Sequence, residues 1–210
     1  MAIALSLSGA LAFSLYSMRE TGVIDQGLAV PKVFKTYTAI DGSFTCEAPV
    51  DWSSSDRSAY PSQYSGAHFS SGDASVDVSS VGVEQPAKDM LFGVLKEAFV
   101  RKIDTLATWG RSPIDALHKQ SRETIASHYQ RYVEREPETI SGKMGDILVS
   151  EWTAESNNPI SHRPLHGYHA TVIEGDRVYT LVCSCREEDW KRLWFDFQRM
   201  IRSQSSPIAG

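Results

Sequence analysis

The sequence predicts an α+β domain: an antiparallel β-sheet with α-helices packed on both faces, an α/β/α sandwich. Two glycine–aspartate pairs, Gly72-Asp73 and Gly175-Asp176, each sit between strand-like runs and mark tight antiparallel hairpins. Three further segments repeat apolar residues at three-to-four spacing, the period of an amphipathic helix. The second hairpin carries apolar residues on both of its faces, so the sheet requires a cover on each side.

The chain opens on a different note. Ala2–Met18 holds 17 residues without a charge, four of them serines. A spanning helix needs about 17–25 apolar residues, so the run reads as a membrane anchor or uncleaved signal. A cleaved secretory signal is the alternative, because Ala10-Leu11-Ala12 has the A-x-A form of a processing site. The basic start of such a signal is missing; the first cation is Arg19. Either reading puts the domain on the extracytoplasmic face, membrane-anchored or secreted. Residues 19–41 show weak periodicity and read as a linker. Residues 42–204 form the domain, and 205–210 a tail.

Within the domain, Ser43–Ala48 reads as a strand stopped at Pro49, and residues 53–66 as a polar loop. The first hairpin runs through Val76 and Val78. The following Val81 and Val83 fall out of alternation, which predicts a bulge. Pro86 starts a helix with Leu91, Leu95, Ala98, Phe99 and Ile103 on one face. Ser112-Pro113 starts a second helix, with Ile114, Leu117, Ile125, His128, Tyr129 and Tyr132 inward, ending before Pro137. Lys143–Glu155 is a strand with Leu148 and Trp152 on one face and Val149 and Glu151 on the other. A loop with two prolines follows, then the second hairpin. The terminal helix carries Trp190, Leu193, Trp194, Phe197, Met200 and Ile201 in one stripe. Acidic residues at its start and Arg199 and Arg202 at its end complement the helix dipole.

A chain of 210 residues, 41% hydrophobic and 22% charged, suits one domain with a sizeable core. The net charge of −5 and pI near 5.7 do not fit a nucleic-acid partner, which calls for a basic face. The cations of the terminal helix are offset by Glu187, Glu188 and Asp189.

The densest collection of reactive residue types is Ser161–Cys185, with His162, His166, His169, Cys183 and Cys185. The Gly175-Asp176 turn pairs Glu174 with Arg177, and hence Tyr168 with Cys183 and His166 with Cys185. Alternation then puts His166, Tyr168, Ala170 and Val172 on one face with Tyr179, Leu181, Cys183 and Cys185. His169 lies on the other face with Thr171, Ile173, Val178, Thr180 and Val182. Cys183 and Cys185 have Cα atoms about 6.6 Å apart with parallel side chains. A mutual bridge is therefore strained, and four converging zinc ligands are lacking. The two cysteines read as small buried hydrophobes. Three cysteines allow one bridge, and the sequence does not decide whether Cys46 pairs with Cys183 or Cys185. His162 and His166 are the weak candidates for a metal contact, with His68 beside them; Pro164 denies the pair helical spacing.

No nucleophile elbow, P-loop, H-E-x-x-H or dinucleotide fingerprint occurs. His118 and His128 are ten residues apart on one helix and do not converge, and His128 reads as a core histidine. Cys46 lacks a His and an acid assigned to it. Asp51, Asp56 and Asp73 stand in turn contexts. The expectation is a non-enzyme without cofactor.

Two stretches carry a family resemblance. "SFTCEAPVDW", with Phe44, Pro49 and Trp52, is similar to the opening strand and Pro-x-x-Trp corner of the PsbP/Mog1-like superfamily. "GYHATVIEGDRVYTLVCSCREEDWKRLWFDFQRMIRS" resembles its closing hairpin and aromatic-rich last helix. The resemblance spans Ser43 to Ser203. It implies an antiparallel sheet flanked by helices and used for binding. PsbP-type members attach to the lumenal face of photosystem II and Mog1-type members bind the Ran GTPase; the residues they use cannot be placed here. A hydrophobic N-terminus in place of a plastid transit peptide reads as bacterial. The function expected is a non-catalytic, membrane-tethered binding or assembly module whose partner is another protein or membrane complex. A small metal-binding protein using loop histidines is the alternative, and a hydrolase without a recognisable motif the third.

Overall fold

A computed structural model describes residues 32–57, 64–82, 113–157, 162–175 and 177–206. The uncharged run Ala2–Met18 and the helix expected from Pro86 lie outside these residues. No helix among the described residues is long and apolar enough to cross a membrane.

The chain is α+β, as expected. A two-stranded antiparallel ribbon joins β1 (Phe34–Thr38) to β2 (Thr45–Pro49). The main sheet is antiparallel and eight-stranded. Its strands are β3 (Ser53–Asp56), β4 (Tyr64–Ser71), β5 (Ala74–Gly82), β6 (Gln130–Glu134), β7 (Glu138–Gly142), β8 (Gly145–Glu155), β9 (Pro164–Glu174) and β10 (Arg177–Arg186). The order is β3-β4-β5-β10-β9-β8-β6, and β7 pairs with the first half of β8. Helix α1 (Pro113–Ala126) packs on β9, β8 and β6. Helix α2 (Trp190–Ser203), entered through a 3-10 turn at Glu187–Asp189, packs on β2, β10, β9 and β7.

The β9–β10 hairpin has the expected register: Glu174 faces Arg177, Tyr168 faces Cys183 and His166 faces Cys185. Both Gly-Asp turns begin on a glycine in the left-handed region, Gly72 at φ 59° and Gly175 at φ 58°, which a side chain would strain. The two faces of the hairpin divide as expected. Ala170, Val172, Tyr179, Leu181 and Cys183 join the α2-side core, completed by Phe44, Phe69, Trp52, Phe197 and Met200. The opposite face meets α1 and is more polar, with buried His169, Thr171 and Ser150.

Several expectations fail, each for a local reason. Phe34–Thr38, within the stretch read as a linker, is a strand because it pairs along the whole of β2. Ser205, read as tail, exchanges backbone hydrogen bonds with Thr45. Ser53–Asp56, read as loop, pairs with β4, and the Ser53 hydroxyl bonds Ser70. The β5 bulge is absent: pairing with β10 is continuous, and Ser80 takes the core position that a valine would hold, its hydroxyl satisfied by Arg177 Nε at 2.8 Å.

The second helix also stops early, at Ala126, and Gln130–Glu134 is a strand. The Ser127 hydroxyl bonds the Thr124 carbonyl at 2.6 Å, the Thr124 hydroxyl bonds the Gln120 carbonyl at 3.2 Å, and Asn157 Nδ2 bonds the His128 carbonyl at 2.6 Å. Hydroxyls that bond the backbone compete with helix continuation. Arg131 then sits at φ 49° where the β6 register shifts. His128, expected inside, is exposed.

Gly167 is set by a close approach. A Cβ there would overlap the Cys183 carbonyl and come within 2.6 Å of the Trp152 ring. Gly167→Ala is expected to destabilise by at least about 1–3 kcal/mol, the usual overpacking cost, read as a fall in the melting temperature. Gly82→Ala, where a Cβ meets nothing within 4 Å, is the control.

Candidate functional site

The polar face of the sheet builds a closed cluster. His118 is on the inner side of α1 with Leu117 and Ile125. Glu134 ends β6, Ser150 lies in β8, and His169 and Thr171 are same-face neighbours on β9. Both imidazoles are buried, and they stack with centroids 4.0 Å apart and planes 12° from parallel.

Glu134 is the acceptor of the group. His169 Nδ1 is 3.1 Å and His118 Nε2 3.3 Å from its Oε1. The Ser150 hydroxyl bonds the same oxygen and also meets His118 Nε2 at 2.8 Å. The Tyr132 hydroxyl donates to Oε2 at 2.5 Å, with Arg122 Nε 3.6 Å from that oxygen. Burial works against the ionised carboxyl, but hydrogen bonds from His118, His169, Ser150 and Tyr132 outweigh it and hold Glu134 well below the usual carboxylate range. Burial pushes His169 below its ordinary value, against the opposing hydrogen bond to Glu134. Burial, and then the bond to Glu134, push the Tyr132 phenol up.

His118, Glu134 and His169 bring three ligand-type atoms within 4.8 Å of one another. An imidazole binds a metal along a lone pair in its own ring plane. Two nearly parallel rings 4.0 Å apart have no common in-plane point between them, so the pair as packed does not aim at one ion. Each candidate ligand atom already has a hydrogen-bond partner. What the arrangement does chemically is hold an ionised carboxylate and two imidazoles inside the domain.

The histidines and cysteines singled out from the sequence are dispersed. His162 is exposed in the loop before β9. His166 is buried, its Nδ1 2.9 Å from Glu187 Oε2 and its Nε2 2.8 Å from Glu151 Oε1. Its ring stacks on Trp190 at 3.8 Å. Both nitrogens are therefore engaged, and His162 is not brought to it in any described contact. His68 bonds Asp77 at 2.9 Å, beside Arg57. Cys46, Cys183 and Cys185 are all free and buried, so neither pairing left open for Cys46 forms. Burial pushes the Cys46 and Cys185 thiols up to about 12 and Cys183 well above its ordinary value. A thiol reagent is expected to leave all three untouched in the folded protein and to titrate all three in denaturant. Cys183→Val and Cys185→Ala should cost a few kcal/mol at most.

Periodicity misses the cluster at two points. His118 is seven residues before Ile125, a spacing that shares a helix face, but the expected inner face runs on to His128 and Tyr132 instead. Glu134 falls inside that over-long helix. The placement of His169 opposite the cysteines is legible from alternation alone.

No protein-family model matches the chain, and no curated protein matches it in sequence. Solved structures similar in fold include cyanobacterial PsbP (CyanoP) from Synechocystis sp. PCC 6803, at 12% identity and TM-score 0.49, over 87% of this chain and 96% of that one. The Saccharomyces cerevisiae Ran-binding protein Mog1p has 12% identity and TM-score 0.46, over 84% and 96%. LpqN, involved in cell envelope biogenesis of Mycobacterium tuberculosis, has 8% identity and TM-score 0.43, over 83% and 91%.

Proposed function

We propose that the chain is a non-catalytic binding or assembly module, tethered through residues 2–18 on the extracytoplasmic side and acting on another protein or a membrane complex. One observation carries this reading. Among the described residues the thiols are buried with raised pKa values, and the carboxylate of the buried His118–Glu134–His169 cluster is taken up by His118, His169, Ser150 and Tyr132. The tether rests on the uncharged run Ala2–Met18.

Cell fractionation tests the proposal. The full-length chain should pellet with membranes and migrate in mild detergent above its monomer mass, and deletion through Gly22 should release it to the soluble fraction. Equal distribution of the two proteins would refute the tether, and a full-length protein migrating only as a monomer would refute the assembly role.

A further inference from the structure

Among the described residues, few groups hold helix α1 to the sheet. Only Leu117, His118 and Ile125 of its 14 residues are buried, against six buried residues in α2 of equal length. The polar cluster around His118 therefore contributes an unusual share of the attachment.

The proton inventory of that cluster leaves one gap. His118 Nε2 donates to Ser150, whose hydroxyl donates to Glu134, and His169 Nδ1 donates to Glu134 directly. The two outer nitrogens, His118 Nδ1 and His169 Nε2, both face the single hydroxyl of Thr171, at 2.9 and 3.4 Å. A neutral imidazole needs a donor at its second nitrogen, and one hydroxyl proton serves only one of them. A single added proton closes the gap. With one outer nitrogen donating to the Thr171 oxygen, the Thr171 hydroxyl is free to donate to the other. Glu134 then balances the charge. A second proton leaves Thr171 accepting from both rings with no ring nitrogen to donate to, and sets two cations face to face at 4.0 Å.

We infer that the stacked His118–His169 pair over Glu134 is a proton-operated latch: it closes α1 onto the sheet with one proton bound, and a second proton parts the rings and frees the helix. The groups facing the pair support this count. From α1 they are His118 itself and Arg122; from β6, Tyr132 and the ionised Glu134; from β8, the uncharged Ser150; from β9, Thr171. Glu134 is the one anion among them, and Arg122 already draws on it at 3.6 Å, so the site holds no anion for a second imidazolium. Burial of His169 disfavours its charged form in the same sense.

Amide hydrogen exchange of the full-length chain, corrected for intrinsic rates, tests the latch. Opening takes up one proton, so protection of Pro113–Ala126 should fall about tenfold per pH unit below the ordinary histidine value of about 6.5. Protection of Trp190–Ser203 should stay level over the same range. In His169→Gln the slope in α1 should vanish, because the second proton then has no second imidazole to enter. A flat profile for α1 in the native protein, or parallel loss in α1 and α2, would overturn the inference. So would an undiminished slope in a folded His169→Gln.

Discussion

Phe197→Ala is expected to leave the protein largely unfolded. Phe197 is fully buried on the inner side of α2, edge-on to Trp52 with centroids 6.0 Å apart. It lies in the cluster that joins α2 to the β1–β2 ribbon and the central strands. Truncating such an aromatic costs about 3–5 kcal/mol, against a total stability of about 5–15 kcal/mol. Lys191→Ala and Arg192→Ala lie on the exposed side and should each change stability by less than about 0.5 kcal/mol; the Arg192–Asp189 pair is a surface contact. Thermal melting followed by circular dichroism separates the two groups. An equal fall in both would mean that α2 is not packed by this stripe. Trp194, named in the same stripe from the sequence, is only half-buried, so its truncation should cost less than that of Phe197.

Glu134→Ala should be the most damaging polar substitution, at about 3–5 kcal/mol, the usual cost of removing one partner from a buried charged group. It strips the acceptor from His118, His169, Ser150 and Tyr132 together. The same cluster dictates a pH dependence. His169 is held below its ordinary value in the fold, so the unfolded chain binds its proton first. That contribution is fully present above about pH 6.5 and is lost as pH falls below it. Glu134 is likewise depressed. Its contribution is present above about pH 4.3, the unfolded value, and drains away as pH falls further. Acid unfolding should therefore begin near pH 6.5 and steepen below about pH 4.3. Unchanged denaturant midpoints between about pH 7 and pH 5 would contradict it.

Legibility in the sequence depends on whether the information is local. A two-residue turn and strict alternation determine a hairpin completely, so the pairing of His166 with Cys185 and the exile of His169 to the other face can be read in advance. The α2 stripe is equally plain, since six large apolar residues recur at helical spacing. Phe34–Thr38 and Ser53–Asp56 carry no such pattern: they are strands because β2 and β4 offer them partners, which no local propensity records. Ser80 reads as polar, yet occupies a core position because Arg177 reaches it from the adjacent strand. Glu134 and His118 meet across 16 residues whose helix end is set by hydroxyls and by Asn157, far along the chain.

We propose that the buried histidines and carboxylate hold the fold together rather than form a reactive or metal centre. Metal analysis of the purified full-length protein, combined with its melting temperature in zinc and in chelator, tests this most directly. Less than stoichiometric metal and one melting temperature throughout are expected. One metal ion per chain, lost in Glu134→Gln, with a melting temperature that rises with zinc concentration as ligand linkage requires, would contradict it.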